Sequence, residues 1–319
     1  MPPQRPDLRA TLVARPRTTG HLLAAGVTTH ELTGPLWTPV VRGSHVWLGG
    51  DAEDPLVRIQ AVAELMPAGA VVGGWAALYL LGVRDLDGRT GRAAATMLPV
   101  LVCVGPVGRM RRRRGIAVDR STLLPEDVTE AQGIPVTTAL RSCLDIMRMH
   151  GVEEGVVAGD AAGRFGVASP DAIQDFVASH PGMRGIPQAR VAAPLVDAGA
   201  ASCPESRLRV VWVLEAGLPV PLVNRGLVDE GGVLLGEPDL FDPEAAMAGE
   251  YDGSDHRTLL RHTSDNAREE GFERHNVTVV RATAIDLWPR RAHLVSRLRA
   301  GHGDGLARDR SRDRWGLRL

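Results

Sequence analysis

Apolar positions recur along the chain with two spacings, and each spacing predicts a type of element. Leu22, Leu23 and Val27 form a short helical stripe, and residues 54–66 (DPLVRIQAVAELM) place apolar side chains on one helical face. Continuous apolar segments bounded by glycine, such as LPVLVCVG at 98–105, are typical of buried strands. The pattern predicts an α/β protein, α+β overall, with several sheets and helices.

Residues 1–50 contain two short helical stripes followed by VVRGSHVWL, which predicts two strands around a glycine turn. Gly26 ends the first helix, and Thr28 or Thr29 caps the second. Helix, turn, helix and a small β-wing is the order of a winged helix-turn-helix. Such modules bind DNA in many proteins and serve only as protein contacts in others, and the spacing leaves both alternatives open.

The middle of the chain predicts a buried helix over residues 69–83 and a helix within residues 133–151 that Thr137 or Thr138 caps. Two apolar strands, at 98–105 and 116–121, flank the segment GRMRRRRG and predict a hairpin with a basic tip. The arginines of this tip are Arg109, Arg111, Arg112, Arg113 and Arg114. A positive tip suits a phosphate backbone, and the alternative is a solvated turn.

Residues beyond 203 predict a second pattern of elements: a helix at 204–218, three strands, a helix at 256–276, a strand at 276–282 and a helix at 285–301. The predicted domains are a winged helix at 1–50, an α+β domain at 51–195 and a third domain at 196–300. Residues 301–319 alternate charge without helical or strand periodicity, which predicts a disordered tail.

Composition predicts a folded protein of the cytoplasm. Hydrophobic residues make up 44% of the 319 positions, and no apolar segment reaches the ~18–20 residues that cross a bilayer. We therefore expect no membrane partner, and no secretory signal is visible. Cys103, Cys143 and Cys203 are far apart and include no CxxC pair, which predicts reduced thiols and no zinc site.

The chain contains no lysine, so all 37 basic residues are arginine. A GC-rich coding bias explains this composition. It nevertheless constrains chemistry, because any mechanism that uses a lysine needs a substitute here. The net charge of −1 does not by itself indicate a nucleic-acid partner.

The segment GEYDGSDH at 249–256 concentrates acidic residues near the end of a predicted strand. If that strand pairs with the preceding one, Asp239 and Glu250 meet at one edge of the sheet, and Asp252 shares the face of Glu250. Two close carboxylates repel unless a divalent cation lies between them, and oxygen ligands suit Mg²⁺ or Mn²⁺. Such a metal activates water and neutralises charge on a scissile phosphate. Glu205 is a candidate third carboxylate.

Several motifs in order resemble a bacterial nuclease family. ESRLR, EPDLF, GEYDGSDHR, DNAR and VTVVRATAIDL, spread over roughly residues 200–290, resemble PD-(D/E)XK nucleases similar to very-short-patch repair endonucleases. GAVVGGWAALYLLGV and GIPVTTALRSCLDI resemble the AbiEi-type antitoxin architecture, a winged helix followed by a second domain. The first resemblance implies a restriction-endonuclease-like mixed sheet flanked by helices.

The nuclease resemblance also implies roles for individual residues. Asp239 matches the central metal-binding aspartate, Glu250 the second acidic position and Glu205 the acidic residue of the first helix. His256 matches a histidine that lies near the metal and leaving group, which implies proton transfer. Asp252 stands where the general pattern has a lysine. A carboxylate cannot supply the positive charge of that lysine, and Asp252 is a candidate additional metal ligand instead. Gly249 is a milder departure, because an apolar β-forming residue normally fills that position.

Each of these residues also has a purely structural interpretation. Glu205 is suited to the first turn of a helix, and Asp252-Gly253 to a turn. His256 is suited to a position beside a helix N-cap. Arg281 follows a strand and is suited either to a phosphate contact or to a salt bridge at the rim.

Two functions from different classes follow. The first is a Mg²⁺-dependent DNA endonuclease in which the winged helix and the arginine segment hold the duplex. The second is a DNA-binding, antitoxin-like regulator whose nuclease domain is inactive, which the missing lysine favours. A scaffold for a partner toxin is a third alternative. Winged helices often dimerise, but the sequence leaves open whether this chain is a monomer or a homodimer. No P-loop or dinucleotide-binding glycine fingerprint indicates an organic cofactor.

Overall fold

The computed structural model describes residues 15–48, 50–90, 97–253 and 271–318. Within them the chain is a mixed α+β protein whose strands form several separate sheets. The described residues divide into two compact units, the first with residues up to 90, 97–149 and 175–186, and the second with 150–174 and 187–318. None of the described helices is long and apolar enough to cross a membrane.

The first unit contains two short helices followed by a hairpin, in the order that the hydrophobic pattern predicts, and a two-residue strand that was not predicted precedes them. Its first elements are β1 (Arg17–Thr18), α1 (Thr19–Ala24), α2 (Thr29–Leu32), β2 (Trp37–Val41) and β3 (Ser44–Trp47). The strands form an antiparallel sheet in the order β1-β3-β2. Thr28 caps α2, because its hydroxyl accepts the Glu31 N–H and the Glu31 carboxylate accepts the Thr28 N–H at 2.7 Å. The identification of this segment as a winged helix stays a prediction.

A five-stranded mixed sheet forms the rest of the first unit. Its elements are α3 (Pro55–Ala63), β4 (Val71–Gly73), α4 (Gly74–Leu80), β5 (Val100–Cys103), β6 (Ile116–Asp119), β7 (Val128–Ala131), β8 (Ile134–Thr137) and α5 (Ala139–His150). The strand order is β6-β5-β4-β8-β7. The prediction of one helix over 69–83 is wrong, since this segment divides at Gly74 into a strand and a helix. An apolar segment without polar positions has no period, so it cannot distinguish the two.

The predicted hairpin around the arginine segment is also wrong. Strand β6 pairs with β5 in parallel, with Val100 opposite Ile116, whereas the antiparallel neighbour of β5 is β4. The arginines therefore lie on a crossover connection between two parallel strands. Buried strands that are apolar on both faces carry no sequence signal for their direction, so the turn-like GRMRRRRG suggested the simpler topology.

The second unit contains two small sheets and the helices around them. Its elements are α6 (Val152–Arg164), α7 (Pro170–Ala178, which continues into the first unit), α8 (Ile186–Ala192), α9 (Cys203–Val210), β9 (Leu222–Val223), β10 (Leu227–Asp229), β11 (Leu234–Gly236), β12 (Leu240–Asp242), β13 (Met247–Tyr251), β14 (Thr278–Ala282), α10 (Ala284–Leu287), α11 (Arg291–Ala307) and β15 (Trp315–Leu317). One sheet has the order β14-β13-β12-β9, and the other has the order β11-β10-β15. Only the β13–β14 pair is parallel among these strands.

Two predicted strands of the second unit are each divided between its sheets. Residues 222–228 form β9 and β10, and residues 233–241 form β11 and β12. Asn224 interrupts the first segment with a φ of +48°, a conformation that asparagine tolerates better than most residues. Both breaks occur beside glycine, at Gly226 and Gly236, but glycine alone does not reveal a change of sheet.

The tail is ordered through residue 318, so the prediction of disorder over residues 301–319 is wrong for its described part. Helix α11 continues to Ala307, and β15 pairs with β10. The Trp315 ring meets Phe241 edge-to-face at 5.0 Å between centroids. The local sequence does not predict this strand, because β15 has only three residues and pairs with a strand almost 90 positions earlier in the chain.

Close packing of helix against sheet explains why Gly249 stands where an apolar residue was expected. Trp212 follows α9 and is fully buried, and a Cβ at Gly249 would lie 2.9 Å from its Cζ3. The indole therefore occupies the space of a side chain at position 249. Helix α11 approaches the same sheet through Gly301, where an added Cβ would lie 2.8 Å from Val280 Cγ2.

Salt bridges from arginine side chains join three helices of the second unit. Arg207 on α9 binds Glu153 at 2.8 Å and Glu154 at 2.8 Å, both in the first turn of α6. Arg291 at the start of α11 binds Glu153 at 2.6 Å. Burial alone would raise the pKa of Glu153, but the hydrogen bonds and charges of Arg291 and Arg207 outweigh it and lower that pKa below its ordinary value of 4.5.

Gly249→Ala should lower the free energy of unfolding by ~1–3 kcal/mol, because the added methyl group overlaps the Trp212 ring. Urea unfolding measures the change. Gly253→Ala is the matched control, since a Cβ there meets nothing closer than 3.7 Å. Equal stability of the two variants would contradict the packing explanation.

Glu153→Gln should lower the free energy of unfolding by ~1–3 kcal/mol at neutral pH, because two arginines lose a charged partner. A carboxyl with a depressed folded pKa stabilises above its unfolded pKa and loses that effect as pH falls through the folded value. The difference in the free energy of unfolding between wild type and variant should thus disappear below about pH 4. Urea unfolding across pH 3–7 measures it, with the exposed Glu230→Gln as control. A gap that stays constant with pH would contradict the role of the Glu153 charge.

Candidate active site

Four strand ends meet at one edge of the four-stranded sheet and present a row of polar side chains, which we call the edge row. It consists of Asn224 after β9, Asp239 before β12, Glu250 on β13 and Arg281 on β14. The register pairs Leu240 with Gly249, so Asp239 and Glu250 are the next opposite positions. Glu250 and Arg281 are direct partners in the parallel ladder. Residues from four separate parts of the sequence thereby become neighbours.

Asp239 is held by both of its neighbouring strands. Its Oδ2 accepts the Tyr251 N–H at 2.7 Å, and its main-chain oxygen accepts the Asn224 N–H at 3.1 Å. The side chain is thus directed to the end of β13, beside Glu250. The predicted meeting of Asp239 and Glu250 at one sheet edge agrees with this register.

Glu250 is almost fully buried, with 6% of its surface exposed, and lies next to a cation. Its Oε2 is 3.6 Å from Nε of Arg281. Asp252 follows two positions later and is half-buried, and its N–H donates to the Ala282 carbonyl at 2.8 Å. The β13–β14 pairing therefore extends past Tyr251, and Glu250 and Asp252 keep the same face.

Glu205 combines a structural role with a place near the edge row. Its carboxylate accepts the Ala201 N–H and the Ser202 hydroxyl, each at 2.8 Å, as an N-terminal cap of α9 does. The same carboxylate accepts Nδ2 of Asn224 at 3.1 Å. Glu205 lies in the first turn of α9, as its structural interpretation predicts. Asn224 links it to the end of β9, which adjoins Asp239.

Asn224 is the residue of this site that sequence reasoning missed. Its signal was an asparagine two positions before a glycine inside a segment of strand character, which indicates a break with positive φ. Nothing in that pattern identifies its partners. His256, in contrast, lies outside the described residues, as does most of the predicted helix at 256–276.

The oxygen donors of the edge row fit a hard divalent cation. Mg²⁺ is commonly held by one or two carboxylates, with waters and substrate phosphates completing its shell, and Asp239 and Glu250 supply such a pair. Among residues 15–48, 50–90, 97–253 and 271–318, no group of three or more His, Cys, Asp or Glu side chains is placed to hold a metal. Asp252 and Glu205 therefore flank the Asp239–Glu250 pair without closing a cage around it.

The predicted nucleic-acid contacts of the first unit lie on its crossover connection. Arg109, Arg111, Arg112 and Arg114 are exposed. Arg113 is half-buried, and its Nη1 donates to the Arg42 carbonyl at 2.9 Å. Arg113 thus anchors the connection to the turn between β2 and β3, and the four exposed guanidinium groups form a basic surface.

Comparison with known proteins leaves the family unassigned. No family model, no curated protein and no solved structure matches the chain. The resemblance to PD-(D/E)XK nucleases and to AbiEi-type antitoxins therefore stays a prediction drawn from motifs. What the site can do chemically rests on its own geometry.

Proposed function

We propose that the chain is a Mg²⁺- or Mn²⁺-dependent endonuclease that hydrolyses phosphodiester bonds in DNA. The observation that carries this proposal is the register of β12 and β13, which sets Asp239 opposite Glu250 at a sheet edge beside Arg281. A carboxylate pair with an adjacent cation suits the cleavage of a phosphodiester, because the reaction needs both metal ligands and a partner for phosphate charge.

Asp239 and Glu250 would hold the metal in this mechanism, and Asp252 lies two positions from Glu250 on the same face of the sheet. When bound, Mg²⁺ lowers the pKa of a coordinated water and neutralises charge that develops on the phosphate. The hydrogen bond from Tyr251 N–H orients Asp239, so the carboxylate does not need to reorganise. His256 remains the predicted group for proton transfer to the leaving oxygen.

Arg281 offers a substitute for the charge of the missing lysine. It lies on the strand next to Glu250 and carries a permanent positive charge near the carboxylate pair. A guanidinium stabilises a phosphate but does not deprotonate water at neutral pH, since it keeps its proton in proteins. Proton abstraction therefore falls to another group.

A second function has an observation in its favour. Arg281 neutralises Glu250 at 3.6 Å, as it would in a domain that keeps the fold and has lost the metal. On this alternative the chain is a DNA-binding, antitoxin-like regulator without nuclease activity. The two functions differ in whether a divalent cation is required.

Asp239→Ala and Glu250→Ala should each slow metal-dependent nicking of supercoiled plasmid at least roughly 100-fold, since each removes a ligand to the activating cation. Gel analysis with Mg²⁺, with Mn²⁺ and with EDTA measures the rate. Glu237→Ala is the matched control, because Glu237 is exposed and lies two positions from Asp239. Absence of cleavage by wild-type protein with either metal, together with unchanged DNA binding in both variants, supports the regulator instead.

Replacing both Arg111 and Arg112 by Ala should weaken binding to duplex DNA. The slope of log K against log salt concentration should become less negative by roughly 2. Each exposed guanidinium that meets a phosphate releases about one counterion. Fluorescence anisotropy in EDTA at several salt concentrations measures the slope. The double variant Arg190→Ala with Arg312→Ala removes the same charge elsewhere and should leave the slope unchanged. An equal change in both double variants would point to net charge alone.

A further inference from the structure

A cavity of about 470 Å³ lies beside β9, directly next to the edge row. Asp197, Gly199 and residues 221–225 line it. Asn224 belongs to both the cavity wall and the edge row. Its Nδ2 donates to the carbonyl of Gly199, which also lines the cavity, at 2.8 Å, and to the Glu205 carboxylate at 3.1 Å. A group bound in the cavity would therefore lie next to the end of β9, which pairs with the chain at Asp239.

The cavity wall contains two opposite charges. Asp197 and Arg225 both line it, and neither forms an ion pair within the described part of the chain. Asp197 is anchored, since its N–H donates to Asp160 Oδ1 at 2.8 Å and its own Oδ1 accepts the Gly199 N–H at 2.8 Å. Arg225 is exposed and follows Asn224 directly. One cavity thus offers a carboxylate that accepts hydrogen bonds and a guanidinium that donates them.

Guanine matches this pair better than the other bases do. Its N1–H and its 2-amino group are neighbouring donors for a carboxylate, and its O6 and N7 are acceptors for an arginine. Adenine and cytosine each offer one amino group on that edge, and thymine offers one N–H. A phosphate alone would meet repulsion from Asp197.

We propose that this cavity binds the guanine base of an unpaired nucleotide next to the phosphodiester bond that the edge row cleaves. The proposal rests on the proposed nuclease function, and it specifies the substrate. Asp197 takes the Watson–Crick edge of the base, so that edge must be free of its pairing partner. The substrate is therefore a single strand or a locally opened duplex, with guanine beside the cut.

Binding of labelled thymidine oligonucleotides of about 12 nucleotides tests the proposal in EDTA, where no cleavage occurs. One central position carries guanine, inosine, 7-deazaguanine, adenine or thymine, and fluorescence anisotropy gives Kd. Guanine should bind about tenfold more tightly than thymine. Inosine lacks the 2-amino group and 7-deazaguanine lacks N7, so each should lose much of that gain.

Two variants test which residue recognises which atoms of the guanine base. Asp197→Asn keeps an oxygen for the Gly199 N–H and should abolish the preference for guanine over inosine. Arg225→Gln should abolish the preference for guanine over 7-deazaguanine. Asp304→Asn and Arg312→Gln remove exposed charges elsewhere in the second unit and should change neither preference.

Equal binding of guanine and thymine, or preferences that survive in both cavity variants, would overturn the proposal. Plasmid nicking without guanine preference removes this inference and leaves the nuclease function standing. Guanine preference that depends on Asp197 and Arg225, without nicking, keeps the binding site and removes the catalytic function.

Discussion

The contact between the Trp212 indole and the bare backbone of Gly249 organises the second unit. Trp212 is fully buried, and its Nε1 donates to the Pro219 carbonyl at 2.8 Å, so the ring has one orientation. Because Gly249 has no side chain, the ring lies directly on β13. Helix α9 is thereby held against the β12–β13 pair, and its first turn brings Glu205 within reach of Asn224. The position of the edge row follows from this packing.

Buried ion pairs between arginine and carboxylate side chains stabilise both units, in a chain that contains no lysine. In the first unit Arg141 is fully buried and binds Asp127 at 2.9 Å and Asp145 at 3.2 Å. Burial raises the pKa of Asp145 above its ordinary value, even though Arg141 and Arg148 lower it. In the second unit Arg209 binds the buried Asp160. A planar guanidinium with five donors satisfies several acceptors at once, which a lysine ammonium does with less fixed geometry.

The electrostatics of the edge row differ from those of the buried networks. The networks surround each arginine with several acceptors inside the protein, whereas Arg281 keeps 28% of its side-chain surface exposed beside Glu250. The cavity next to Asn224 continues this partly exposed polar surface with Asp197 and Arg225. The proposed substrate carries both phosphate charge and hydrogen-bonding bases, which are the groups that this polar surface would bind.

The sequence by itself determined the elements whose signals are local. The helix at Pro55–Ala63, the cap at Thr28 and the strands at Val100–Cys103 and Thr278–Ala282 follow from periodicity and capping chemistry. The acidic pair Asp239 and Glu250 was also predictable, because a short connection between two strands favours an antiparallel hairpin and its register.

Only the tertiary structure decided the features that depend on distant partners. The parallel pairing of β5 with β6, the division of residues 222–228 between two sheets and the strand at Trp315–Leu317 depend on which strands meet. Arg281 beside Glu250 and Asn224 beside Glu205 are likewise products of strand order. Local sequence specifies backbone preference over a few residues, whereas strand pairing is selected by burial and packing over the whole chain, which no short segment encodes.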